Sequence, residues 1–340
     1  MTSHFLTRLA LSSLVMLGVA HLAQADVNVY SSRQEALIKP LLEQFTDQTG
    51  IPVNLVSGKD DALITRLQTE GSKSPADILI TADAGRLYRA KSADLLQPIN
   101  SDVVDSAVPS NLRDVDGQWV GLTMRARPIF YVKGKVDPKS LSTYEALTND
   151  EFAGRICIRS SSNIYNQSLI ASMINAEGEA TTEVFAKGLV ANLARPPAGG
   201  DTDQLKAAAA GVCDIAIANT YYFGRLVNSE SEADNEVAQK LGVFWPNQNG
   251  RGTHVNVSGA AITKASKNVA EAQQLIEFML TDEAQTWYSE VNNEYPVVND
   301  VEPSKTLASW GQFKADAVNL TVLGENNRKA VELMDRARWK

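Results

Sequence analysis

The sequence predicts an α/β fold in two halves, on three observations. Short apolar runs alternate with amphipathic stretches of helical period from Val27 onward, the pattern of strands joined by helical crossovers. The chain has 340 residues, about twice the usual single-domain length. Its 44% apolar and 21% charged residues match ordinary globular usage, which excludes disorder and fibrous repeats as the main organisation.

In the first half, Val27–Ser31 reads as a strand. Leu37, Ile38, Leu41, Leu42 and Phe45 then form a helical stripe that Gly50 ends, with Pro40 early in that helix or bending it. Pro52–Val56 is a second strand, Asp60–Glu70 a helix with Leu63, Ile64 and Leu67 on one face, Ala76–Ala82 a third strand and Gly85–Ala93 a helix. This order predicts a parallel sheet covered on both faces. The second half begins near Gly154, with strands at Arg155–Ser160 and Cys213–Thr220 and helices near Gln167–Asn175, Thr182–Asn192 and Asp203–Ala210. Arg195–Gly200 is a loop and Asn228–Glu236 an acidic surface segment. After a break at Asn247–Gly252 come Thr253–Ile262 and helices near Val269–Leu280 and Asp282–Val291.

Arg8, the apolar run Leu9–Ala20 and Ala23-Gln24-Ala25 have the three parts of a secretory signal peptide, with cleavage expected after Ala25. The mature chain of 315 residues is expected to be exported. No later stretch offers an uninterrupted apolar run of membrane-spanning length. Two cysteines, Cys157 and Cys213, favour a disulfide in an oxidising compartment, with two separate buried thiols as the alternative.

Without the leader, 31 basic residues face 40 acidic ones, and no basic segment suggests a nucleic-acid or anionic-membrane partner. Histidine excludes more. His4, His21 and His254 are the only three, and two of them lie in the leader, so a metal site built on several imidazoles is ruled out. The Gly-x-Ser-x-Gly, His-Glu-x-x-His and phosphate-loop signatures of common enzymes are missing too.

Tyr165 follows Cys157 by eight residues, and Tyr221 follows Cys213 by eight. If the two cysteine strands are parallel neighbours, both tyrosines emerge beyond the strand C-termini, where open α/β sheets bind ligands. With Tyr222 that makes three phenols. Tyr221-Tyr222 also admits a core or surface reading, since neighbours in a strand point to opposite faces. As a site, three phenolates offer hard anionic oxygen, suited to Fe(III) and balancing its charge.

The segments Val-Asn-Val-Tyr30-Ser-Ser-Arg33-Gln34, Pro75-Ala-Asp77-Ile, Gly121-Leu-Thr-Met-Arg125-Ala-Arg127, Ser-Ser-Asn163-Ile-Tyr165-Asn166, Ala218-Asn219-Thr220-Tyr221-Tyr222 and Gly252-Thr-His254-Val-Asn256 span nearly the whole mature chain. Together they resemble periplasmic ferric-iron-binding proteins, the substrate-binding components of ABC iron importers, in the branch that uses three tyrosines and a synergistic anion. The resemblance implies a type II periplasmic-binding-protein fold with two α/β lobes joined by a hinge. It implies an N-lobe of 26–123 with about 250–298, and a C-lobe of 124–249 with about 299–340. By the same resemblance Tyr165, Tyr221 and Tyr222 are the metal ligands, and Arg33, Gln34 and Arg125 hold carbonate or bicarbonate. A His or His-Tyr pair found in some relatives is replaced here by Gln34 and Glu35, and a carboxylate used by others falls on Ala82, beside Asp83. The expected partner is an ABC transporter permease in the inner membrane, served by a monomeric periplasmic receptor.

Arg127 reads as structural or hinge-related, and His254, Tyr30, Tyr88 and Tyr131 as structural, with Tyr30 near enough to the cleft to line it. Two other functions stay open. A receptor for an organic or oxyanion solute would use Ser57, Lys59, Arg33 and Arg125, and an exported hydrolase would use a carboxylate pair.

Overall fold

The computed structural model describes residues 26–340; the expected leader, with His4 and His21, lies outside the described residues. Among the described residues, ten strands form two sheets: β1 Val27–Ser31, β2 Val53–Ser57, β3 Ile78–Ala82, β4 Leu96–Gln97, β5 Val120–Ala126, β6 Ile129–Val132, β7 Ile156–Cys157, β8 Ile215–Ile217, β9 Leu241–Phe244 and β10 Val255–Thr263. The first sheet has the order β2-β1-β3-β10-β4, with β5 paired to the other end of β10; the second has the order β7-β8-β6-β9. Each sheet with its helices makes one lobe.

Helices α1 Lys39–Thr49, α2 Asp60–Glu70, α3 Ala84–Ser92 and α4 Asp102–Ala107 belong to the first half of the chain. Pro40 sits in the first turn of α1, where no backbone donor is needed, and Gly50 closes that helix in the left-handed region. Leu41, Leu42 and Phe45 turn inward from α1, and the Phe45 ring meets Phe278 at 5.4 Å. The second half holds α5 Ile164–Glu177, α6 Glu179–Ala191, α7 Asp201–Ala209, α8 Thr220–Val227 and α9 Glu232–Lys240. The acidic segment from Asn228 is thus partly the start of α9, tied down by Lys206 on Asp234 at 2.7 Å. After the second sheet come α10 Val269–Phe278, α11 Asp282–Asn292, α12 Lys305–Ala308, α13 Thr321–Glu325 and α14 Asn327–Arg336. Helix α13 packs on both α3 and α5, and α14 packs on α5 and α6.

The first sheet is mixed, which departs from the parallel expectation. Strands β2, β1 and β3 are parallel, but β10 runs antiparallel to β3, β4 and β5. The reason is the route of the chain, since β10 arrives from the second lobe and enters the sheet from the opposite end. All nine residues of β10 are buried, as a strand covered on both faces requires. In the second sheet β7 and β8 are parallel, as the cysteine spacing supposed. Cys157 and Cys213 are joined in a disulfide with their Cα atoms 5.9 Å apart.

Two crossings connect the sheets, at Arg127-Pro128 and at residues 245–254. They touch one another: the Arg127 N–H donates to the His254 carbonyl at 3.0 Å, and the Tyr144 hydroxyl donates to the Arg127 carbonyl at 2.7 Å. Gly252 on the second crossing has φ +97°, and a Cβ there would lie 2.6 Å from the Lys314 carbonyl oxygen. Only glycine fits that conformation and that approach.

Candidate metal centre

Two helix N-termini bring the phenols together. Strands β7 and β8 lie side by side, and the chain turns from each into a helix, α5 after β7 and α8 after β8. Asn163 caps α5, its side chain accepting the Tyr165 N–H at 3.0 Å. Tyr165 is the second residue of α5, and Tyr221 and Tyr222 are the second and third of α8. Because the pair opens a helix and does not lie within a strand, both rings face the same region. Their centroids are 4.2 Å apart, and the Tyr221 hydroxyl donates to that of Tyr165 at 3.0 Å.

Positive groups surround this cluster. The Arg125 guanidinium lies 5.6 Å from the Tyr221 ring centroid, Arg159 lies 5.5 Å from that of Tyr165, and Arg225 lies 5.2 Å from Tyr221 and 5.7 Å from Tyr222. Burial first, then the neighbouring phenols, push the Tyr221 hydroxyl well above the ordinary phenol value, with Arg125 acting the other way. Burial and Tyr222 raise Tyr165 likewise, again against Arg125 and the bond from Tyr221. The metal-free Tyr165 and Tyr221 phenols are therefore protonated at neutral pH, and a bound hard cation has to displace their protons. The guanidinium charges and the positive ends of two helices favour the phenolates once formed.

Arg33 and Arg125 both lie within the field of Glu294. Thr123 and Arg125 share one face of β5 by the two-residue alternation of a strand. Arg33 Nη2 donates to Thr123 Oγ1 at 3.0 Å and pairs with Glu294 Oε2 at 2.6 Å, while Thr123 Oγ1 also donates to Glu294. Arg125 Nη2 donates to Ser258 Oγ at 2.6 Å. Burial opposes the charge on Arg125, but Glu294, Tyr221, Tyr165 and Asp83 outweigh it and hold its pKa above normal. Burial likewise opposes the Glu294 charge, yet Arg33 and Arg125 keep that carboxyl below its ordinary value. The Nε donors of Arg33 and Arg125 are both buried without a hydrogen-bond partner, which suits a small oxyanion. Gln34 is exposed and makes no capping bond to the short helical turn it precedes.

Asp83, beside the position where a relative's carboxylate was expected, is fully engaged. Its φ is 94°, and its carboxylate accepts from the Gly85 N–H at 2.9 Å, from Ser168 Oγ at 2.8 Å and from Asn256 Nδ2 at 2.8 Å. Ser168 is on α5, so this contact joins the lobes one helical turn from Tyr165. Tyr30 is buried and bonded to Glu70 at 3.0 Å, and His254 is buried at the crossing with its pKa driven down by burial, Arg251 and Arg127. Sequence reasoning missed Arg159, Arg225 and Glu294. Arg225 carried a local signal, since it stands four residues after Tyr221 on one helix. Among the described residues, no group of three or more His, Cys, Asp or Glu side chains is placed to hold a metal ion.

Known proteins are similar to this chain along nearly its full length. Iron uptake protein A1 of Synechocystis sp. strain PCC 6803 is 48% identical over 317 residues, covering 93% of this chain and 88% of that protein. The Trichodesmium protein IdiA or FutA, solved in complex with iron and citrate ligands, superposes with a TM-score of 0.91 at 51% identity, over 93% of this chain and all of that one. Apo FutA2 from Synechocystis superposes with a TM-score of 0.89 at 44% identity, over 93% of this chain and 99% of that one. With a profile match over residues 41–315 as well, the chain belongs to the bacterial extracellular solute-binding protein family.

Proposed function

We propose that this protein is a periplasmic receptor that captures Fe(III) between its lobes and delivers it to an ABC transporter permease. The observation that carries the reading is the contact of three phenols, Tyr165, Tyr221 and Tyr222, at two helix N-termini with arginines around them. Three phenolates neutralise a ferric ion and match its hardness. A synergistic anion, carbonate or bicarbonate, fills the remaining positions through Arg33 and Arg125, with Gln34 at the edge of the same turn. Citrate in the Trichodesmium relative gives a second candidate for that anion. The lobes are 26–126 with about 250–298 and 127–249 with about 299–340, the first boundary lying past 123 because β5 stays in the first sheet to Ala126, and they move about the paired crossings at Arg127 and His254. Residues 1–25 direct export, and the receptor acts as a monomer without chemical turnover of its cargo. Capture, closure, docking and release make up the cycle.

Titration of the metal-free protein with a ferric chelate tests the site. Wild type develops a visible phenolate-to-iron band, and Tyr222→Phe loses intensity and affinity. A wild type that stays colourless, or a Tyr222→Phe protein with unchanged band and affinity, overturns the assignment. Repeating the titration without carbonate, with and without citrate, identifies the anion.

A further inference from the structure

We infer that Arg127 is a positioning residue for the phenol cluster, tying the first crossing between the lobes to both helix N-termini that carry the tyrosines. This rests on the ferric reading above.

Arg127 is 1% exposed, and its backbone belongs to the paired crossings through His254 and Tyr144. Its side chain reaches into the second lobe. Nη1 donates to Asp201 Oδ2 and to Asn219 Oδ1, both at 2.9 Å, and Nη2 donates to Asn166 Oδ1 at 2.7 Å. Each partner is fixed to a site element. Asn166 follows Tyr165 on α5, and its Nδ2 donates to the Arg159 and Ser160 carbonyls in the turn before that helix. Asn219 is the residue that leads α8, with Tyr221 two positions further on, yet its side chain does not cap the helix. Its oxygen serves Arg127 instead. Asp201, wholly buried at the start of α7, accepts the Asn219 N–H at 2.8 Å and lies 3.4 Å from Arg159 Nη1. Arg159 in turn sits over the Tyr165 ring.

A planar guanidinium spans three acceptors at fixed angles, and a lysine ammonium cannot reproduce that fork. The clamp therefore sets the spacing between the first turns of α5 and α8, and with it the Tyr165 to Tyr221 and Tyr222 geometry that a metal ion meets. Groups that orient metal ligands from behind are typically worth about 10- to 100-fold in metal affinity.

The experiment compares wild type, Arg127→Lys and Asn219→Ala as full mature chains. Ferric affinity is measured by competition with a chelator, the wavelength and intensity of the phenolate-to-iron band are recorded, and thermal unfolding shows that each variant is folded at the assay temperature. Arg127→Lys is expected to lose about 10- to 100-fold in affinity and to shift the band, and Asn219→Ala about 10-fold. Asn219→Ala leaves the Arg127–Asp201 pair in place and removes no helix cap, so it decides the matter if Arg127→Lys fails to fold. A purely architectural arginine would lower the melting temperature and leave the folded protein's band unchanged. If wild type shows the band and the folded variants match it in wavelength and, within twofold, in affinity, the inference falls alone. If wild type itself shows no band, the ferric reading and the inference fall together.

Discussion

Replacing Glu294 with glutamine removes the charge that pairs with Arg33 while keeping the size of the side chain and one acceptor. The two side chains are 5% and 7% exposed and meet at 2.6 Å, so water does not compensate for the loss. Removing one partner of a buried pair costs about 3 to 5 kcal/mol, and the retained amide oxygen puts Glu294→Gln at the lower end, about 3 kcal/mol. At roughly 2 °C per kcal/mol for a chain of this size, the melting temperature of the metal-free protein falls by about 6 °C at pH 7. The pH dependence gives a second check. The folded protein holds Glu294 below its ordinary pKa, so its contribution is complete above about pH 4.3, the unfolded value. It is lost as the pH falls through the lower folded value. The gap between wild type and variant is therefore full at pH 7 and narrows in acid. Calorimetric unfolding across that range reads both quantities. A Glu294→Gln protein within 1 °C of wild type at pH 7 would refute the reasoning, as would a gap that widens as pH falls.

Three further expectations follow from the same structure. Replacing both Cys157 and Cys213 with serine opens a loop of 56 residues' separation and lowers stability by about 4 kcal/mol, read from the urea midpoint; a change under about 1 kcal/mol contradicts the role of the crosslink. Gly252→Ala places a Cβ against the backbone of residues 314–315 at φ +97° and costs about 3 kcal/mol or more, so a wild-type melting curve would refute the steric argument. Glu177 is pushed up to about 7 by burial and then by its hydrogen bond to, and the charge of, Glu145. Its proton stabilises the folded state below the usual carboxylate pKa, and that contribution is lost as pH rises through 7. Glu177→Gln stays neutral, so it is equal to wild type at pH 4 and more stable at pH 8 by about 1 kcal/mol, a figure discounted for partial exposure. A larger advantage at pH 4 than at pH 8 would reverse the sign and sink the assignment.

Local chemistry made much of the fold legible. Proline early in α1, glycine after it and the apolar stripe between them all act within a few residues, and the helix formed where they put it. Strand direction did not follow, because side-chain alternation is identical for a strand run either way, and β10 is antiparallel only because of the lobe it comes from. The second-lobe strands came out shorter than expected for a related reason. Ile158 is buried like Ile156, but the chain leaves the sheet after Cys157 to reach α5, and apolar sequence does not separate sheet from the turn beneath it.

The site divides along the same line. The phenols were findable because two equal spacings, Cys157 to Tyr165 and Cys213 to Tyr221, report equivalent turns on neighbouring parallel strands, and the disulfide fixes those strands together. The charges that condition them have no such local signal. Glu294 pairs with Arg33 across 261 positions, and Arg127 meets Asn166, Asp201 and Asn219 at separations of 39, 74 and 92. Yet these distant groups decide what the phenols can do. Desolvation alone would make Tyr165 and Tyr221 hold their protons more firmly than in water, because it disfavours the anion. It is the guanidinium of Arg125, which stays charged at any working pH, that works against that burial. A hard-cation site here therefore depends on a guanidinium behind the phenols, and Arg125→Gln should weaken ferric binding even in protein that remains fully folded. Ferric affinity within twofold of wild type in folded Arg125→Gln would show that the phenols need no such support.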